Sequence, residues 1–169
     1  KDATEVEAWL QGHPSEYASF FEAELMRKAG RLEAADNRYV ALLKTAGSIP
    51  LQPVLLARAR IYYALNKDKI AESFVIQAIN IIENRTHDGL VLEDFKYILD
   101  DEEMEVFFEI EDASSFRAFF SGLMEKRNPA RSEDVNRRMT EHYMRLLASE
   151  KTYATYAARE AYRVGVNAS

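Results

Sequence analysis

"GRLEAADNRYVALL" (residues 30–43) and "KDKIAESFVIQAI" (residues 67–79) decide the reading of this chain. Both are rich in helix-forming residues, and neither keeps the two-residue alternation of a half-buried strand. Laid over one another, they match in side-chain size. Ala35, Tyr39 and Leu42 correspond to Ala71, Val75 and Ala78, thirty-six residues later. The preceding segments match as well, with Ala23 and Met26 opposite Ala59 and Tyr62. Small residues at such places let antiparallel helices approach closely, while the larger ones fill the space between helical pairs. The pattern predicts two helical hairpins in tandem.

Punctuation extends the reading outward. A short helix is expected over about Thr4–Leu10, broken by Gly12-His13-Pro14, with Pro14 as a first helical residue. About Ser15–Ala29 follows, stopped at Gly30 by a left-handed terminator, and then about Arg31–Thr45, ending in "AGSIP". Pro53 opens a helix carrying Leu55, Leu56, Ala59, Tyr62 and Tyr63 to Leu65. Asn66-Lys67-Asp68 turns it into a partner over about Ile70–Glu83, with Phe74, Ala78, Ile81 and Ile82 inward. "NRTHDG" (84–89) reads as a loop, followed by short helices near Leu92–Leu99 and Glu102–Ile110. Asp112 is placed to cap a helix over about Ala113–Arg127, which Asn128-Pro129 stops. A last long helix is expected from Ser132, with Ser132 as its cap. The predicted fold is all-α: hairpins over residues 1–87 and a second helical bundle over 88–169.

Composition narrows the function classes. With 47% hydrophobic and 30% charged residues, the chain has the balance of a globular protein with a real core. Net charge −6 argues against generic nucleic-acid binding, which needs a basic surface. The absence of cysteine removes disulfides and thiolate nucleophiles. No apolar run reaches the length of a membrane span. Because residue 1 is lysine, the chain is expected to be a processed or excised piece. His13, His87 and His142 lie in different elements, and no metal-ligand spacing or glycine-rich phosphate loop occurs, so no catalytic residue, metal or cofactor is assigned. Asn84-Arg85-Thr86 and Asn167-Ala168-Ser169 match glycosylation sequons, a pattern short enough to arise by chance.

The thirty-six-residue repeat resembles tetratricopeptide repeats over about residues 15–83. Its second unit carries Leu55, Ala59, Tyr62, Ala71 and Ala78 at the family's signature places; its first carries Gly30, Ala35 and Tyr39. Val75 and Glu83 depart from the usual aromatic and proline, and "GSIP" absorbs the excess over a period of about thirty-four residues. The resemblance implies a concave face that binds a protein partner through Tyr17, Phe20, Glu24, Arg27, Leu56, Arg60 and Tyr63. The alternative is that two units pack onto the second half of the chain and leave no open groove.

"EKRNPARSEDVNRRMTEHYMRLL" (125–147) concentrates the polar chemistry. At about 100° per residue, Val135, Met139, His142, Leu146 and Tyr153 form one inward stripe with Tyr143 at its edge. Arg137, Glu141 and Arg145, extended by Glu133, form a solvated ladder. Arg127, Asn128, Arg131, Asn136 and Arg138 remain, as an anion site at a helix start or as a tie to the acidic run 100–112. The tie is the favoured expectation, and a ligand-binding or hydrolytic role using Glu141 and His142 is the alternative. Residues 95–153 also resemble the helical region preceding the core of bacterial GWxTD-domain proteins. The matching residues are Tyr97, Ile98, Glu103, Phe116, Phe119, Arg127, Asn128, Pro129, Asn136, Arg138, Glu141, His142, Tyr143 and Arg145. Asn128 stands where aspartate is usual. This resemblance implies an envelope or exported bacterial protein and supplies no reaction. Together the readings predict a non-enzymatic interaction or scaffold module.

Overall fold

Two left-handed turns, thirty-six residues apart, set the rhythm of the first half. The computed structural model describes residues 3–45, 47–128 and 134–167. In it α1 (Ala3–Gly12) leads to the hairpins α2 (Glu16–Lys28) with α3 (Leu32–Thr45) and α4 (Gln52–Ala64) with α5 (Asp68–Asn80). The first hairpin turns at Gly30 (φ 78°) and the second at Asn66 (φ 56°). At one turn Gly30 N–H donates to the Arg27 carbonyl and Arg31 N–H to that of Met26. At the other, Asn66 N–H donates to Tyr63 and Lys67 N–H to Tyr62. Both are Schellman closures, with glycine and asparagine taking the position that other residues resist. Pro14 lies one residue outside the capping position, where the Ser15 hydroxyl accepts from Ala18 N–H.

Positions paired by the repeat share their burial. Ala23 and Ala59, Ala35 and Ala71, and Tyr39 and Val75 are all fully enclosed. The hairpins lean on one another through Arg58, which holds Asp36 of α3 with Nε at 2.6 Å and stacks over Phe74 at 4.1 Å. The loop after α3 is pinned by Glu16, whose carboxylate accepts from the backbone N–H groups of Gly47, Ser48 and Ile49.

The second half begins earlier than the sequence indicates. "NRTHDG" is not a loop: Asn84 caps α6 (Arg85–Phe95) by accepting from the N–H groups of Thr86 and His87. The boundary drawn at 87/88 therefore falls inside a helix. α5 correspondingly ends at Asn80, and Ile82 is buried beyond it. α7 (Asp101–Glu109) starts with a capping box between Asp100 and Glu103, and α8 (Ala113–Lys126) is capped by Asp112. α9 (Arg137–Asn167) starts five residues after Ser132, and Asn136 is its cap, accepting from the N–H groups of Arg138 and Met139. Pro129, Arg131, Ser132 and Glu133 lie outside the described residues, as do the Tyr153 side chain and the end of the second sequon.

α4 is apolar nearly all round because it serves two cores. Val54, Ala57 and Ile61 face Ala23, Ala35, Tyr39 and Leu42. Leu55, Leu56, Ala59 and Tyr63 face a larger core that unites α5 with α6, α7, α8 and α9. Phe95, Phe107, Phe116 and Phe120 pack there with ring centroids 5.3 to 5.9 Å apart. Each such ring contributes about 1.5–3 kcal/mol of burial. Because α4 faces both cores, the two halves are not separate packing units.

Candidate functional site

Of the residues expected on a concave face, Arg27, Arg60 and Tyr63 are met by α9. Arg27 and Tyr63 hold equivalent repeat positions, as do Glu24 and Arg60, and Phe20 and Leu56. Leu56 and Tyr63 are 2% and 0% exposed, so neither offers an open surface. Tyr63 stacks on Tyr143 of α9, with ring centroids 4.6 Å apart and planes 13° apart. Phe20 is half-buried against Tyr39, and Tyr17 alone of the set is strongly exposed.

Beside this ring pair runs a polar network drawn from five helices. Arg27 holds Glu24 through Nε at 2.9 Å and Nη2 at 3.0 Å. It also reaches Glu150 of α9 through Nη1 at 2.9 Å and Nη2 at 3.2 Å. Arg60 pairs with Asp94 of α6 and approaches Glu150 at 3.8 Å. The Tyr39 hydroxyl donates to Glu24. Burial works to raise the Glu24 carboxyl, but Arg27 and that hydroxyl outweigh it and hold it below the usual range. For Asp94 burial wins over Arg60, and its carboxyl is pushed up. Burial also lowers His142, whose Nε2 lies 2.6 Å from the Asp94 carbonyl. A carbonyl only accepts, so Nε2 carries the proton. Asp94 Oδ2 and the Tyr143 hydroxyl lack partners of good hydrogen-bond geometry, although they are close enough to interact electrostatically.

The residues of the arginine-rich stretch do not share one face. Arg127 turns to the acidic run, donating to Glu103 and to the Ile98 carbonyl, and Lys126 joins it on Glu103. Asn136 is buried and donates to the Met124 carbonyl at 2.7 Å while it caps α9. Asn128 lines a shallow cleft between α5 and α8. His142 points inward, whereas Arg138 and Arg145 pair with Glu141 on the outer face. Glu141 and His142 are therefore not presented together. Tyr143, placed at the stripe's edge by projection, is fully enclosed.

Sequence reasoning missed Asp94 and Glu150. Both carried a signal, because each interrupts an apolar helical stripe: Val91-Asp94-Phe95 in α6, and Met139-Tyr143-Leu146-Glu150 in α9. Among the described residues, no cluster of histidine and acidic side chains is arranged to hold a metal, and no helix is long and apolar enough to cross a membrane. Set against known proteins, the chain matches no family model, no curated protein and no solved structure.

Proposed function

We propose that this chain is a non-enzymatic protein-interaction module, in which two helical hairpins and a helical second half form one scaffold that receives helices. The observation that carries this reading is the seat of α9. One face of the hairpins holds a helix there by an aromatic stack and by arginine–carboxylate contacts. The resemblance of residues 15–83 to tetratricopeptide repeats supports the same reading, since it implies a partner-binding role. Exposed Trp9, Tyr17 and Phe21 near the start of the chain, and Tyr97 and Phe108 in the second half, add apolar contact area outside the cores. The resemblance of residues 95–153 to the region before a GWxTD core supports placing the module in a bacterial, envelope-associated or exported protein. Cross-linking in native cells is the test. A defined heteromeric adduct is expected; recovery of monomer alone overturns the proposal.

A further inference from the structure

The seam between the two hairpins joins unlike faces of like helices. Phe20, Ala23 and Met26 of α2 share one core with Val54, Ala57 and Ile61 of α4. Moved back by the thirty-six-residue repeat, Val54, Ala57 and Ile61 become Ala18, Phe21 and Leu25. Ala57 is 1% exposed, whereas Phe21 is 54% exposed, and Tyr17, one turn before it on the same face, 53%. α2 thus repeats the receiving face of α4 without the helix that covers it there. α1 packs on α2 as α3 packs on α4, and its Trp9 is exposed as well. A helix standing to α2 as α2 stands to α4 has no counterpart among the described residues.

Charge follows the same equivalence. Arg58 reaches two ways from α4: it stacks over Phe74 of its own hairpin at 4.1 Å and holds Asp36 of the preceding one at 2.6 Å. One repeat earlier, Glu22 stands for Arg58 and Arg38 for Phe74, and Glu22 pairs with Arg38. The contact within the hairpin is reproduced, while the contact to a preceding helix is not. Because a carboxylate replaces the arginine, the group that completes the pattern is basic.

A second copy of the chain cannot supply this helix in the same arrangement. The α4 residues equivalent to Phe20 and Ala23 are Leu56 and Ala59, and both are closed in the main core. Resting on the interaction-module reading above, we infer that the Tyr17–Phe21 face of α2 is a docking site for an amphipathic helix of a partner protein. That helix continues the hairpin seam by one step, seated along α2 as α2 is seated along α4. It presents apolar residues at three- or four-residue spacing, as Phe20, Ala23 and Met26 do. A small residue meets Phe21, which is larger than the Ala57 it stands for, and a lysine or arginine comes within reach of Glu22.

A photo-activated benzophenone amino acid in place of Tyr17, carried by the full chain in native cells, is the probe. Its adduct is expected to map, by mass spectrometry, to a segment of another protein with that apolar spacing and a basic residue. Phe21→Glu in the same chain should lower the adduct yield at least about tenfold, since it buries a charge in an apolar seam, and Phe21→Leu should preserve it. Phe21 is exposed, so the thermal unfolding curves of the Phe21→Glu and parent chains should superimpose. No adduct from position 17, a yield unchanged by Phe21→Glu, or a target lacking the pattern overturns the site. An adduct between two copies of this chain also overturns it. The same amino acid in place of Phe108, exposed in the second half, separates this site from the module reading. A partner captured only there leaves the module reading standing and removes the docking site, and capture at neither position removes both.

Discussion

At His142 the buried imidazole meets a backbone carbonyl, and this fixes both its tautomer and its response to acid. Its pKa in the fold lies below the usual value, so the unfolded chain binds the proton more readily. The contribution of His142 to stability is complete above the unfolded pKa of about 6.5 and is lost as pH falls toward the lowered folded value. Urea unfolding measured from pH 7 down to pH 5 should show stability falling, with a shallower slope in His142→Gln. Glu103 behaves in a second acid window. Arg127, Lys126 and the Asp100 N–H hold its carboxyl at about 2, against an ordinary 4.5. Its contribution is present above the ordinary value and disappears as pH falls between the two. Glu103→Gln should flatten the stability profile in that window and leave the profile above pH 6 parallel to the parent. The inward placement of His142 was legible in the sequence, because helical periodicity alone puts it on the stripe with Met139. Asp94 and Glu150 were not recognised, although they interrupt stripes just as visibly. Periodicity says that a carboxylate faces inward, but not that an arginine more than thirty residues away waits for it.

The helix α6 shows how much hangs on one cap. Its first residues, Arg-Thr-His-Asp-Gly, have the composition of a turn, and the Asn84 side chain, accepting from two backbone N–H groups, starts the helix there. Asn84→Ala should cost about 1 kcal/mol in urea denaturation, while Asn84→Asp should be nearly neutral because aspartate accepts the same bonds and suits the helix dipole. The hairpins were easier to read. Ala23, Ala35, Ala59 and Ala71 record close helix approach directly in side-chain size, and a left-handed glycine turns the first pair between its two helices. Asn66 in the same role is harder to see, because asparagine tolerates that conformation only as one option among several. The start of α9 was misjudged for a related reason. Serine and asparagine are both good caps, and the sequence offered Ser132 and Asn136 four residues apart. The cap that closes the helix is the one whose amide also reaches the Met124 carbonyl.

Across the whole molecule, Tyr143 is the side chain that seats α9 against Tyr63. Tyr143→Ala should destabilise the protein by about 3 kcal/mol or more, as expected for emptying a buried aromatic position. Tyr143→Phe should cost well under about 1 kcal/mol, because the lost hydroxyl has no well-formed hydrogen bond. Trp9, the single tryptophan, lies in α1 and reports on the first half. Its fluorescence transition should coincide with the circular-dichroism transition in the parent and precede or lag it in Tyr143→Ala. The covering of the repeat face by α9 could not be read from local pattern, since it depends on contacts between distant segments. That distance also orders events in time. Arg27 and Glu150 are 123 residues apart, whereas each hairpin is closed by neighbours. Loop closure delays the distant pairing, so the hairpins assemble first and α9 docks last. Contacts made after the rate-limiting step slow escape from the native state without hastening arrival. The last helix to dock therefore governs how long the folded molecule lives more than how quickly it forms.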